Sequence, residues 1–144
     1  MKHYNNFRDS IIMFQELLAR LMEFPLPTMC VYNGNAIAGG YILGLAHDFR
    51  VMHESTGIIC LSEMKLGLAL PPPYMGTVAA KLSARVASKI AFGITVSQLE
   101  ALKDKMIDET YGSVEQLQSQ LATFAKRYAS FGQYRVAVRT NKLN

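Results

Sequence analysis

The sequence predicts a single α/β domain, and three observations carry that prediction. A strand, a glycine turn, a short helix and a further strand follow one another between residues 28 and 52, which is the βαβ order of a parallel sheet with helices outside. Apolar residues recur at helical spacing near both ends of the chain. Half of the 144 residues are apolar and 18% are charged, enough to bury a core in one unit.

The elements follow in order. Ile11, Phe14, Leu18, Leu21 and Met22 form one helical stripe, so a first helix is expected from a cap at Asp9 or Ser10 to about Phe24. Pro25 and Pro27 stop it. Residues 28–32 read as a short buried strand, and Asn33-Gly34 as a turn. Ala36 to Gly40 then lead into a helix reaching about Ala46. Residues 48–52 and 57–61 read as the next two strands, and 66–73 as a stiff, proline-rich loop. Two helices are expected at about 74–82 and 84–92. A break at 94–97 ends in Ser97, which can cap a helix holding Leu99 and Leu102. Residues 106–111 read as extended and are closed by Gly112. Ser113 and Gln116 form a capping box launching an amphipathic helix through Leu117, Leu121, Phe124 and Tyr128. No internal repeat, low-complexity tract or linker divides the chain.

The formal net charge of +4 comes from scattered lysines and arginines, with no basic run and no Trp, which argues against nucleic-acid binding. A mild positive field still suits an anionic small molecule such as a coenzyme carrying phosphates. Cys30 and Cys60 each sit in an apolar run, as reduced buried thiols do. His3, His47 and His53 lack metal-ligand spacing, so no metal site is expected. No stretch reaches transmembrane length, and the N-terminus lacks the layout of a cleavable signal. The C-terminal residues resemble a peroxisomal tripeptide but end in Asn144.

Three features bear on chemistry. Gly39-Gly40 stand between a strand and a helix start, where free N–H groups can hold a developing oxyanion. The same pair also suits a tight turn with glycines for packing. Glu63 follows a buried strand within an apolar stretch, and a carboxylate so placed is a stronger base. An exposed loop residue pairing with Lys65 is the alternative. Leu66, Leu68, Pro71 and Tyr74 can wall an acyl pocket, or simply fill the core.

Taken together, the ordered set Phe24-Pro25-Leu26-Pro27-Thr28, Asn33-Gly34-Asn35-Ala36-Ile37-Ala38-Gly39-Gly40, Leu43, Asp48-Phe49-Arg50 and Glu63 with Gly67-Leu68 resembles the enoyl-CoA hydratase/isomerase (crotonase) family. The resemblance runs from about Phe7 to Tyr111. His47-Asp48 and Ser62-Glu63-Met64 look most like the Δ3,Δ2-enoyl-CoA isomerases of the plant peroxisomal type.

The resemblance implies a partial crotonase-like spiral ββα core over about 7–112, followed by C-terminal helices over about 113–144, in one domain that lacks the family's N-terminal part. It gives Gly39 the N–H that forms half of the oxyanion hole, with Gly40 beside it. Glu63 matches the glutamate retained in isomerases, and Ile42 takes the place of the hydratases' other glutamate. One carboxylate suffices for an allylic proton shift, whereas hydration needs two, so the implied reaction moves a 3-enoyl-CoA double bond to trans-2-enoyl-CoA in fatty acid β-oxidation. The implied substrate is an acyl-CoA thioester with no separate cofactor, since coenzyme A belongs to the substrate. No membrane partner is implied, and the family's trimer-type assembly implies a homo-oligomer. Peroxisomal location follows from the resemblance, with mitochondrial or cytosolic location as alternatives. Two departures stand out. The missing N-terminal part carries the other oxyanion N–H in the family, and Lys103-Asp104-Lys105 replace an expected glycine turn, which leaves the local backbone open. A non-catalytic subunit that associates with full-length relatives, and a thioester hydrolase, are the competing readings.

Overall fold

The computed structural model describes the backbone of residues 2–143 and the side chains of residues 6–143. Helix α1 (Lys2–Met22) starts earlier than the expected caps. Asp9 and Ser10 therefore lie inside it, and the Ser10 hydroxyl bonds back to the Asn6 carbonyl at 2.8 Å. Its inner stripe packs Leu18, with Ile11, Phe14, Leu21 and Met22 beside it, against the core.

Two three-stranded sheets replace the single parallel sheet expected from the sequence. In the first, β1 (Met29–Tyr32), β3 (Phe49–His53) and β6 (Glu109–Tyr111) run parallel, with Met29 opposite Phe49 and Met52 opposite Thr110. In the second, β2 (Ala36–Ile37) pairs in parallel with β4 (Ile58–Cys60), and β5 (Val96–Ser97) runs antiparallel to β4. The split occurs at the Asn33-Gly34 turn. There the Asn35 side chain accepts the Ile58 N–H at 3.1 Å, which holds β2 beside β4 rather than β3. Gly57 makes this approach possible, because its φ is +97° and a side chain there would lie 2.4 Å from the Gly34 carbonyl oxygen. The two-residue strands β2 and β5 are too short to leave a periodic signal in the sequence.

The helices α2 (Gly39–Leu45), α3 (Pro72–Lys81), α4 (Ala84–Ala91) and α5 (Gln98–Lys103) surround this pair of sheets. Tyr41, Ile42, Leu45, Ile59, Leu61, Val78 and Ile90 are fully enclosed between them. Ser97 caps α5 as expected, accepting the Glu100 N–H. The chain then turns through Lys105, which takes the left-handed conformation at φ 55°. The turn normally served by glycine is thus kept, with a side chain accepted at a cost of about 1 kcal/mol.

Arg50 locks the first sheet. It is almost fully buried; its backbone N–H donates to Asp108 at 2.7 Å, its Nε to the Met106 carbonyl, and its Nη1 to the His47 carbonyl. Both cysteines are free; the Cys60 thiol donates to the Gly93 carbonyl, and burial pushes the Cys30 thiol up to about 11.

Helix α6 (Val114–Tyr128) and helix α7 (Arg135–Leu143), joined by a 3₁₀ turn at Ala129–Gln133, form the C-terminal segment. Ser113 caps α6 through the Gln116 N–H. The returning Gln116 side chain reaches Gly112 instead of the cap residue itself, a capping box displaced by one position. The last helix falls within the C-terminal helices implied over about 113–144, although Gly132 and the polar residues around it interrupt the apolar period that would mark its start. Among the described residues, no helix is long and apolar enough to cross a membrane.

Candidate functional site

The site begins at the end of β2. The Ala38 N–H donates to the Cys60 carbonyl at 2.8 Å and so extends the β2–β4 ladder by one rung. Ala38 then turns sharply, with φ 52° and ψ −126°, a conformation ordinarily left to glycine. That turn starts α2. The Tyr41 and Ile42 N–H groups bond to the Ala38 carbonyl, which leaves those of Gly39 and Gly40 as the open end of the helix. Gly40 faces open space, whereas a Cβ on Gly39 would lie 3.5 Å from the Phe14 ring of α1.

Gly44 serves the same helix from its far side. The Tyr32 hydroxyl passes directly over it to donate to the Tyr41 carbonyl at 3.0 Å, and a Cβ on Gly44 would lie 1.8 Å from that hydroxyl. Tyr32 therefore pins α2 to β1. Ile42, which follows from the same turn, is fully buried in the core.

The pairing of β2 with β4 also places the second component. Three residues beyond Cys60, Glu63 sits in the 3₁₀ turn Ser62–Leu66, closed by bonds from the Gly67 and Leu68 N–H groups to the Met64 and Glu63 carbonyls. Gly67 takes φ +68° to make this closure. The pairing of Glu63 with Lys65 does not form, since Lys65 reaches the Thr95 hydroxyl at 2.9 Å. Glu63 is half-buried, and its Oε2 is enclosed without a hydrogen-bond partner. An enclosed carboxylate oxygen with no donor is costly in a structure otherwise well satisfied.

Around Glu63 the apolar side chains point outward. Leu66 is 72% exposed, Leu68 55% and Met64 53%. Pro71 is half-buried, and its carbonyl accepts the Tyr74 N–H at the start of α3. Tyr74 is buried, and its ring meets Phe14 edge-on at 5.6 Å and 85°. Its hydroxyl is pushed up from the ordinary tyrosine value, first by burial and then by the negative charge of Glu63. Phe14 thus touches both Gly39 and Tyr74, and Tyr74 feels the charge of Glu63. The sequence indicated Phe14 only as part of a helical stripe; its place beside Gly39 is a long-range contact, for which the chain carries no local signal.

A half-open cavity of about 260 Å³ lies elsewhere, between the first sheet and α6, lined by Phe49, Val51, Gln120, Phe124 and Arg127 among others. It contains none of the candidate catalytic or acyl-facing residues Gly39, Gly40, Glu63, Leu66, Leu68, Pro71 and Tyr74.

Two small sheets set side by side by a β–turn–α unit, with a half-buried glutamate beside the turn, define a crotonase-type fold. The chain superimposes on an enoyl-CoA hydratase of Mycobacterium marinum with a TM-score of 0.78 and 24% identity, covering 94% of this chain and 62% of that one. It also superimposes on an enoyl-CoA hydratase/isomerase family protein of Silicibacter pomeroyi with a TM-score of 0.83 and 21% identity, covering 96% and 60%. The enoyl-CoA hydratase/isomerase family profile matches residues 2–144, and the chain belongs to that family. It is 33% identical over 85 residues to the peroxisomal enoyl-CoA delta isomerase 2 of Arabidopsis thaliana, covering 59% of this chain and 35% of that protein. With the peroxisomal enoyl-CoA delta isomerase 1 of the same plant the identity is 29% over 102 residues, or 69% and 42%. The chain therefore spans about a third to two-fifths of the length of these two relatives.

Proposed function

We propose that the chain carries the catalytic carboxylate of a Δ3,Δ2-enoyl-CoA isomerase. The observation behind this reading is the half-buried Glu63, with one enclosed oxygen lacking any protein partner, in a chain whose helix α2 leaves the Gly39 and Gly40 N–H groups open. The thioester carbonyl of a 3-enoyl-CoA acidifies its C2 protons. Glu63 removes one, the Gly39 N–H holds the enolate oxygen, and protonated Glu63 returns the proton at C4 on the same face of the dienolate. The bond between C3 and C4 becomes single as that between C2 and C3 becomes double, so the product is the conjugated trans-2-enoyl-CoA. Ile42, buried and apolar, offers no second carboxylate to position a water, which favours isomerisation over hydration.

The exposed Leu66 and Leu68, with Pro71 and Tyr74, are the proposed acyl-facing surface. No separate cofactor enters this reaction, since coenzyme A arrives with the substrate. Residues 7–112 form the proposed catalytic core and 113–144 a helical segment of the same domain. Trimer-type self-association follows from the family, and a peroxisomal site of action is supported by the names of the two plant relatives. One N–H of an oxyanion hole contributes about 3 kcal/mol, so activity will be low unless a second donor joins Gly39. The exposed apolar rim of Met64, Leu66 and Leu68 also favours a second reading, a subunit that completes its site only against a relative.

The test is to incubate the purified chain with a 3-enoyl-CoA and identify the product. A conjugated 2-enoyl-CoA supports the reading. A 2-enoyl-CoA offered separately and converted to a 3-hydroxyacyl-CoA, with the 3-enoyl-CoA left unchanged, would make the chain a hydratase, and free coenzyme A a thioester hydrolase.

A further inference from the structure

Each sheet ends in two edge strands, and the four edges are treated differently. In the second sheet β2 and β5 are two residues long, too short to template another strand. In the first sheet β6 carries the charged Glu109, and the Gln120 amide of α6 lies on it, donating to the Glu109 carboxylate and the Thr110 carbonyl at 2.9 Å. The other edge is β1, Met29-Cys30-Val31-Tyr32, with no charge, no proline and no bulge.

The ladder to β3 fixes which groups of β1 are spare. The Phe49 N–H donates to the Thr28 carbonyl, and Cys30 stands opposite Arg50 in parallel register. Parallel strands bond through alternate residues, so Cys30 and Tyr32 direct their N–H and C=O groups to β3. Met29 and Val31 direct theirs away from it, and among the described residues no main-chain or side-chain group bonds to them. Both side chains are half-buried, and the half-open cavity under α6 reaches Met29. An apolar strand edge with spare backbone groups and no charge is a template for another strand.

The pattern of spare groups is its own complement. Turned about a two-fold axis through Cys30 and perpendicular to the sheet, a second β1 runs antiparallel to the first. Met29 of each copy then faces Val31 of the other, and each such pair exchanges N–H and C=O bonds in both directions. Cys30 meets its own copy on the axis, so no charge faces a charge across the junction. The Met29 and Val31 side chains stay on the α6 face, where the cavity beside Met29 leaves them room. A charged segment of another protein finds no counter-charge along this strand, whereas a second copy supplies both the register and the apolar face.

We propose that two copies of the chain pair through β1 about a two-fold axis, joining their first sheets into one continuous sheet. The inference does not depend on the isomerase reading, and a two-fold pair through β1 is distinct from trimer-type association. Four residues a side is small beside the roughly 20–30 of a stable interface, so the pair is transient and concentration-dependent.

The test is sedimentation equilibrium of the full chain up to about 0.5 mM, with exchange of individual amides followed by NMR over the same range. The expected mass rises from one chain towards two. Exchange at Met29 and Val31 slows severalfold with concentration, while that at Cys30 and Tyr32, bonded to β3 throughout, stays unchanged. Val31→Pro removes a spare N–H and leaves the β3 ladder intact, so it is expected to stay monomeric. Val31→Lys keeps that N–H but places a charge on the edge; it is expected to stay monomeric too, and thermal unfolding reports whether each variant is folded. Phe92→Ser, at an exposed apolar residue outside β1, is expected to pair like the wild type. A wild-type chain that stays monomeric throughout the range, a mass unchanged by the folded Val31 variants, or a three-chain assembly overturns the proposal.

Discussion

The two ends of the molecule are held by different forces. From Ala36 to Tyr74 the chain is fixed by backbone ladders and enclosed apolar side chains, including Tyr41, Ile42, Leu45, Ile59 and Leu61. Helices α6 and α7 contain no buried residue. They rest on an aromatic stack, with Phe49 5.3 Å from both Phe124 and Tyr128, and on charged tethers. Lys142 reaches Asp48 at 2.6 Å and the Leu26 carbonyl at 2.7 Å, while Arg139 pairs with Glu23. The contrast separates a site scaffold whose geometry is overdetermined from a C-terminal segment that can be loosened without disturbing it.

The sharpest way to break the scaffold is Gly44→Ala. The added Cβ collides with the Tyr32 hydroxyl, so either α2 shifts or the bond to the Tyr41 carbonyl is lost. A loss of about 3 kcal/mol is expected in urea unfolding, with any thioester binding lost as well. Next in size is Phe49→Ala, which removes the ring beneath α6. It should cost about 2 kcal/mol and expose α6 and α7 to proteolysis, while hydrogen exchange at Tyr41 and Leu61 stays slow. Uniform acceleration of exchange would show that the two regions unfold as one.

Ala38→Gly should act in the opposite direction. Its φ of 52° with ψ −126° suits glycine, so the substitution should stabilise the folded chain by about 1 kcal/mol. A destabilised variant would mean that the site turn is not strained.

A further effect appears only at alkaline pH. Burial raises the Cys30 thiol from the ordinary 9.0 to about 11. Between those values the unfolded chain has already released a proton that the folded chain retains, so stability falls as pH rises from 9 and this contribution levels off above 11. Buried Tyr32 and Tyr41, also raised by burial, extend the decline to higher pH. Cys30→Ala should flatten the first part of the slope in pH-dependent urea titrations.

Much of this architecture was legible in the sequence, because the strands at β1, β3 and β4 and the caps at Ser97 and Ser113 rest on local chemistry. What escaped depends on distant partners. Two-residue strands such as β2 and β5 exist only through their pairing with β4, and α1 starts at Lys2, ahead of Asp9 and Ser10, where no packed apolar residue precedes Ile11 to signal it. At the candidate site, Gly39 and Glu63 were visible as a motif, whereas the contact of Phe14 with Gly39 is long-range and leaves no local trace.

The most direct test of the central claim compares Glu63→Gln with the wild-type chain in 3-enoyl-CoA turnover. The substitution keeps the size and polarity of the side chain while removing its basicity. Thermal unfolding should therefore be unchanged, and conjugation of the double bond should fall by about a thousandfold. Turnover that persists in the folded variant would contradict the account, since the proton would then move through a group other than Glu63.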